Sequence, residues 1–392
     1  MSFPRSAPVL MAALAFVPAS AFAQMGMSGM DMSMLAKPAA PSWHVMTHAS
    51  LTLAADDQEG PRGGSKTFLE GMAMVMASRQ FGHGNQLELN AMLSPDAFMG
   101  RSGYPLLLQT GETADGVHPL IDRQHPHDLL MGLTARLTHA FDGGSAFIEA
   151  GYPGEFAFGP AAFMHRASGE DFPTAPISHH WLDSGHITMG EITAGATRGP
   201  LAFEVSQFTG REPDENRFDL DPARLDSTAA RLSWQVTPEL SLQGSWARQV
   251  SPEALEPDVN LDKRSLSMAY GHRFAMGQLD STLAWGRKRI EHGNDKPSDA
   301  WLFENAWHFN GPWIGLARFE RVYNGELASQ AAWVTKTEIG AIRTFAISKT
   351  VRLGLGAVRQ FNDVPAPLKA AYGPHRDGTV VFVNLRFSSM AM

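Results

Sequence analysis

From residue 43 onward the chain repeats one unit of about ten residues in which apolar and polar positions alternate, closed by Gly, Pro, Asn or Asp. A period of two puts successive side chains on opposite faces of a strand. The pattern predicts sixteen strands, at about 43–54, 65–79, 86–93, 128–141, 145–151, 186–198, 201–209, 226–236, 239–250, 263–274, 278–290, 299–309, 312–323, 333–346, 349–361 and 377–387. Their connections alternate between tight and long. "FDGGS", "TRGP", "VTPE", "AMGQ", "FNGP" and "ISK" are tight, whereas 94–127, 152–185, 209–225, 251–262 and 362–376 are long. A soluble β-sandwich has no reason to sort its loops by parity. An outer-membrane barrel does, because its periplasmic turns are short, its outward loops long and its strand count even. Closure also removes sheet edges that lipid cannot satisfy by hydrogen bonding. The expected fold is therefore all-β, a transmembrane antiparallel β-barrel over residues 43–392.

The faces agree with that reading. Val381, Val383, Leu385 and Phe387 are set for lipid, while Asn384 and Arg386 point inward. Trp301, Phe303, Trp307 and Phe309 oppose Glu304 and His308 in the same way, and Leu240, Leu242 and Trp246 oppose Glu239, Gln243 and Ser245. One face reads greasy and the other wet. A barrel of about sixteen strands is wide enough for an aqueous lumen unless loops fill it. The two longest connections, 94–127 and 152–185, are the ones expected to fold inward.

The N-terminus bears on compartment. Arg5, the apolar run "APVLMAALAFV" and then "ASAFA" read as a secretory signal, residues 1–23, cleaved after Ala23. The run is shorter than the ~20 residues a membrane helix needs. Removing the single charge of that segment, Arg5, takes the net charge from -8 to -9, which argues against nucleic acid as a partner. With no cysteine, the exported chain has no disulfide framework, and any soft metal ligand must be methionine or histidine. The expected location is the outer membrane of a Gram-negative bacterium, with its lipid as partner.

Four stretches carry candidate chemistry. In "GVHPLIDRQHPHDLL", His125 and His127 project to one side of an extended backbone and Asp128 follows, a chelating arrangement; Asp122, Arg123 and Asp128 would equally make a hydrogen-bonded knot seating the loop in the lumen. The next long connection supplies Met164, His165 and Arg166, then His179, His180, Asp183 and His186. Residues 118–186 hold eight of the fifteen histidines, so chance scatter is a poor account and one shared site is expected. That site is either a metal or substrate site, with Arg123, Arg166, Asp122, Asp183 and His186 lining a constriction, or a buried polar network that holds the loops as a plug. The acid-rich loop 210–226 reads as a solvated outward loop, with hard-cation binding by Asp214, Glu215, Asp219 and Asp221 as its alternative. The fourth stretch is the leader, 24–42, expected to be disordered and periplasmic, where Met25, Met27, Met30, Met32 and Met34 cannot serve a core. Thioethers are soft ligands that select Cu(I), and by analogy Ag(I), over hard cations. No G-x-S-x-G motif is present, and a catalytic site is not expected.

The soft-ligand pattern continues into the wall. His44, Met46 and His48 share one face of the first predicted strand, and Met72, Met74 and Met76 share one face of the second. A hairpin centred near Gly60 would set His44 against Met76, Met46 against Met74 and His48 against Met72, a ladder climbing the lumen wall.

The phrases "YPLLLQTGE", "PLIDRQHPHDL", "GPAAFMHR", "SHHWLDSGHIT" and "TGREPDE" resemble marker segments of a largely uncharacterised group of proteobacterial outer-membrane barrel proteins associated with copper or heavy-metal resistance loci. The resemblance runs from about Trp43 to the C-terminus. It implies the barrel and tilts the function toward metals. The expected function is handling of a soft metal ion, copper or silver, in export or resistance, with a periplasmic copper-handling protein as a candidate partner. The alternatives are a substrate-selective porin with a His- and Arg-lined constriction, and a structural barrel plugged by its loops.

Overall fold

The computed structural model describes residues 42–293, 296–328 and 331–389. The expected signal segment and the five leader methionines lie outside them. Sixteen strands close into one antiparallel barrel: β1 (His44–Gln58), β2 (Gly64–Phe81), β3 (Asn85–Leu93), β6 (Leu130–Phe141), β7 (Gly144–Gly151), β8 (Glu191–Arg198), β9 (Leu201–Phe208), β10 (Ser227–Thr237), β11 (Leu240–Val250), β12 (Asn260–Phe274), β13 (Gly277–Ile290), β14 (Ser298–Phe309), β15 (Trp313–Asn324), β16 (Ala332–Ala346), β17 (Val351–Asp363) and β18 (Gly378–Ser388). Each barrel strand pairs with its sequence neighbours in the wall, and β1 pairs with β18 to close the ring, so no edge is left open. All sixteen expected strands are present with ends moved by a few residues.

Two further strands, β4 (Tyr104–Thr113) and β5 (Pro119–Gln124), form a separate hairpin inside the first long connection. The alternation rule misses them for a physical reason. The hairpin is buried on both faces, so Leu106, Leu107 and Leu108 run consecutively and none is exposed. Its register slips twice, and Leu108, Gly111, Glu112 and Asp122 take positive φ.

Outward-facing positions expose Val381, Val383, Leu385, Phe387, Trp301 and Phe303, as expected. Aromatic side chains ring the outer surface toward both ends. Phe81, Phe141, Phe274, Phe309, Trp313 and Phe345 lie at the tight-turn end, and Trp246, Trp301, Trp333 and Phe361 toward the long-loop end. These are the interfacial girdles of a membrane-spanning barrel.

The inward face carries Glu304, His308 and Arg386 as expected, and apolar positions alternate with them along the wall. Leu302, Leu316, Val322, Val334, Ile342, Val358 and Val380 point inward and are buried, packed in one core with Leu106, Leu107 and Leu108 of the β4–β5 hairpin and with Phe172, Ile177, Trp181 and Leu182 of the second long connection. Loops fill the lumen much as a side-chain core fills a small barrel. Pro173 lies in the 152–185 connection expected to fold inward and is buried, so a tag there, expected to be reachable from outside, would not be. Epitope tags at Gly143, Gly199 and Gly311 should stay shielded on intact cells, while tags at Asp214, Leu255 and Ala370 should bind antibody; labelling of the first set reverses the orientation.

The β1–β2 register keeps the expected parity but is offset by two residues. Met46 pairs with Met76, His48 with Met74 and Ser50 with Met72, while His44 faces Ser78. The connection holds Gly60 at φ +93° and closes with Gly63 N–H donating to Gly60 O, which centres the hairpin one position later than Gly60.

Candidate functional site

The two inward loops meet beneath the long-loop end. Residues 171–183 are all buried. The chain enters the lumen through a short 3₁₀ turn, Phe163–His165, and returns through the helical turn His179–Leu182 and a second 3₁₀ turn, Ser184–His186. Glu320 on β15 anchors that return, accepting from the Ser178 N–H and hydroxyl at 2.8 and 2.7 Å.

Five histidines gather there. Ring centroids stand 5.4 Å apart for His125 and His180, 5.3 Å for His179 and His180, 5.2 Å for His179 and His186, and 5.0 Å for His127 and His186. His125 and His127 come from the first connection and the others from the second. They line a cavity of about 20 Å³ together with Glu112, Asp128, Glu212 and Arg217. That is room for a water molecule or a single ion.

Hydrogen bonds set the tautomers. His127 Nδ1 lies 2.8 Å from Asp96 Oδ2, His186 Nδ1 lies 2.8 Å from the Asp183 carbonyl oxygen, and His179 Nδ1 lies 2.6 Å from Asp183 Oδ1. A carbonyl oxygen or a carboxylate only accepts, so each Nδ1 donates. Burial would raise the Asp183 carboxyl, but His179 and then Arg166 hold it well below the usual carboxylate range. Burial drives the His186 imidazole far down, aided by His127 and His179, and lowers His179 against the pull of Asp183. His186 therefore turns a bare Nε2 toward His127 Nε2, 3.1 Å away. With both Nδ1 atoms donating, the two Nε2 lone pairs face each other unless a proton or cation lies between them. The separation suits two imidazoles on one ion with bonds of ~2.0–2.1 Å, and the Nδ1 partners are of the kind that orient ligating histidines.

The carboxylate that orients His127 is itself positioned by the wall. Asp96 Oδ1 accepts the Gly71 N–H at 3.0 Å, and the Ser94 hydroxyl donates to the Gly71 carbonyl at 2.8 Å, so both side chains cap the upper edge of β2 beyond its pairing with β3.

Arg166, Asp183 and Glu304 form the first part of a buried ion chain. Arg166 pairs with Asp183 at 2.8 Å and with Glu304 at 2.9 Å; Arg318 takes Glu304 at 2.6 Å and Glu338 at 2.8 Å. Arg166 and Asp183 thus sit in the lumen as expected. Asp122 and Arg123 do not belong to any constriction with the histidines. Asp122 is held by Arg62, Tyr372 and the Leu108 N–H, and Arg123 is half-buried and donates to the Ser102 and Gly103 carbonyls. Both lie on β5, at the point where the β4–β5 register shifts between the Arg123–Pro105 and Ile121–Thr110 pairs and Asp122 takes positive φ. Asp128 is occupied by Arg217 at 3.2 Å, and burial pushes its carboxyl up to about 7 against that pull.

The methionines form a second centre. Met72, Met92, Met131 and Ile187 are buried together with Met74 and Met164 against them. His165 follows Met164 and is half-buried; burial, then His48 and His127, push its imidazole down to about 4.

Sequence reasoning missed Asp96, Glu112, Glu212, Arg217 and Glu253. Arg217 joins the Glu112 and Asp128 carboxylates, and His125 Nε2 lies 3.1 Å from Glu112 Oε1. Glu212 and Arg217 belong to the loop read as solvated; Arg217 is only 3% exposed. No local pattern marks these residues, since their partners lie far away along the chain.

No family model and no curated protein matches the chain. In structure it is similar to the anion-selective porin from Comamonas acidovorans, at 12% identity and TM-score 0.51, covering 89% of this chain and 100% of that one. It is also similar to Salmonella typhi OmpF, solved as a complex with daunomycin, at 12% identity and TM-score 0.55, covering 88% and 98%. Vibrio cholerae OmpT matches at 9% identity and TM-score 0.50, over 89% and 99%. The likeness is one of fold.

Proposed function

We propose that this chain is a porin-like outer-membrane barrel that takes a soft metal ion, Cu(I) or Ag(I), from the periplasmic mouth and carries or holds it along the lumen in export or resistance. One observation carries the reading: a row of thioether and imidazole groups that begins at the tight-turn end and leads inward. Met46 opposite Met76 and His48 opposite Met74 start it, Met72, Met92, Met131 and Met164 continue it, and the turn Phe163–His165, whose Phe163 ring stands 6.4 Å from that of His127, leads to His127 and His186. Opposed pairs sit about 4.5–5.5 Å apart at Cβ, within reach of one ion. Methionine supplies the soft end of the row, and neutral imidazole the borderline end. The resemblance of the histidine-bearing phrases to barrels of copper-resistance loci supports the same cargo. A periplasmic copper-handling protein would load the mouth. An open porin for another solute fits less well, because the inward connections fill the lumen with apolar and paired charged side chains.

The test is the triple variant Met72→Leu, Met74→Leu and Met76→Leu. Leucine keeps the volume and removes the sulfur. The barrel should fold normally while Ag(I) affinity of the purified protein falls by roughly tenfold or more, as loss of true ligands should exceed loss of their outer partners. Unchanged Ag(I) binding together with unchanged copper tolerance of cells would remove the soft-metal reading.

A further inference from the structure

Away from the His127–His186 pair, three connections converge on His180. Arg211 Nε donates to the Ser251 carbonyl at 2.7 Å and the Glu212 N–H to the Pro252 carbonyl at 3.1 Å, which ties the 209–226 connection to the 251–259 connection. The Glu112 N–H, from the β4–β5 hairpin, donates to Glu253 Oε2 at 3.3 Å. Glu212 and Glu253 are thereby held beside His180, and the ligand atoms of the three residues all lie within 4.8 Å of one another.

His180 is 3% exposed, and among the described residues its ring makes no hydrogen bond within 3.5 Å, only a longer ion-pair contact with Glu212. Its Nε2 is buried without a partner, and its Nδ1 stops 3.7 Å short of Glu212 Oε1. Glu212 Oε2 is likewise buried and has no hydrogen-bond partner among the described residues. The imidazole is seated deliberately close to backbone: a Cβ at Gly111, whose φ is +117°, would lie 2.6 Å from His180 Nε2. Buried polar groups are normally satisfied, so an imidazole and a carboxylate both left short at one point mark a missing partner. The nearby lysines do not supply it. Lys263 donates to the Ser184 hydroxyl and Lys288 lies 4.0 Å over the Trp181 ring, and among the described residues neither forms an ion pair with Glu212 or Glu253.

We propose that His180, Glu212 and Glu253 bind a borderline divalent cation of the Zn²⁺ class, which cross-links the three inward connections at the outer end of the lumen. One nitrogen and two carboxylate oxygens are a donor set for Zn²⁺, Mn²⁺ or Co²⁺; Ca²⁺ takes six to eight oxygens, and Cu(I) prefers sulfur. Three protein ligands leave a fourth position for water, as at open zinc sites. His180 and Glu212 border the same cavity as His127 and His186, but the donor set contains no thioether and neither of those two histidines, so the site stands whether or not the barrel carries a soft metal. Its consequence is mechanical: bound cation fastens the plug, and its removal frees the 209–226 and 251–259 connections.

The experiment titrates the purified full-length barrel in detergent with Co²⁺, followed by its visible ligand-field bands, and then displaces it with Zn²⁺. One equivalent of Co²⁺ in nitrogen and oxygen coordination is expected, released by Zn²⁺. Glu212→Gln and Glu253→Gln should each weaken binding by more than about 100-fold, beyond what outer-shell partners contribute. Glu253→Gln, whose side chain does not line the histidine cavity, should keep Ag(I) binding, which separates this site from the methionine row. Co²⁺ binding that is absent, or that survives both substitutions, overturns the proposal. Should either variant fail to fold, the wild-type chain still decides: Zn²⁺ should slow limited proteolysis near the exposed Leu255, and an unchanged cleavage rate rejects the cross-link.

Discussion

Reconstituted in a planar bilayer, the intact barrel is expected to pass less than roughly a tenth of the current of an unobstructed barrel of the same strand number, whose interior would be an aqueous channel. The reason is the packing of the lumen. Leu106, Leu107, Leu108 and Leu182 are wholly buried against inward-facing wall residues, and Trp181 and Ile177 nearly so. Removing the obstruction should restore the current. Tyr104 and Gln124 are paired at the base of the β4–β5 hairpin, so its residues 104–124 are replaceable by a short glycine turn between Gly103 and His125. That deletion should raise single-channel conductance by about an order of magnitude, toward the water-filled case. A wild-type conductance already at that level would mean that the loops do not stay inside.

The second large effect is on stability. Arg318 is 1% exposed and bridges Glu304 and Glu338, while Glu304 also holds Arg166. Its guanidinium also lies 3.9 Å over the Phe172 ring and donates to the Thr174 carbonyl, so it fastens the second long connection to the wall. Arg318→Met leaves Glu338 buried without its cation and costs about 3–5 kcal/mol, the usual penalty for breaking a buried pair from one side. The double variant Arg318→Met with Glu338→Met should recover much of that loss, since two apolar groups of similar size replace a pair whose desolvation nearly offsets its attraction. Urea midpoints of the refolded barrel measure both. A single variant as stable as wild type would show that water reaches Glu338 and that the plug is looser than the packing requires.

Legibility differed sharply between wall and lumen. Wall strands were readable because lipid imposes a period of two on residues such as Val381, Val383 and Leu385, one at a time and without reference to partners. The Met72, Met74 and Met76 face was readable on the same ground, and its parity with Met46 and His48 held. Their offset by two was not readable, because it depends on how residues 59–63 turn. The histidine-rich phrases pointed to a meeting of two loops, and the ring separations place His125, His127, His179, His180 and His186 together. Asp122 and Arg123 do not join them, for composition cannot say which way a side chain leaves an irregular hairpin.

What the sequence alone determined, then, is the barrel: strand number, strand order and the lipid-facing set follow from alternation and from loop lengths that sort by side. The sequence also pointed to 94–127 and 152–185 as the inward connections, but how they pack there follows from tertiary contacts. Loops inside a barrel are buried on every side, so the hydrophobic run of β4 carries no period to read, and acids such as Glu212 look solvated until Arg211 and the Pro252 carbonyl draw them inward. The partners that matter lie far apart along the chain, as with Arg166 and Glu304 or His127 and His186. Their meeting is set by closure of the ring as a whole, which no local stretch encodes.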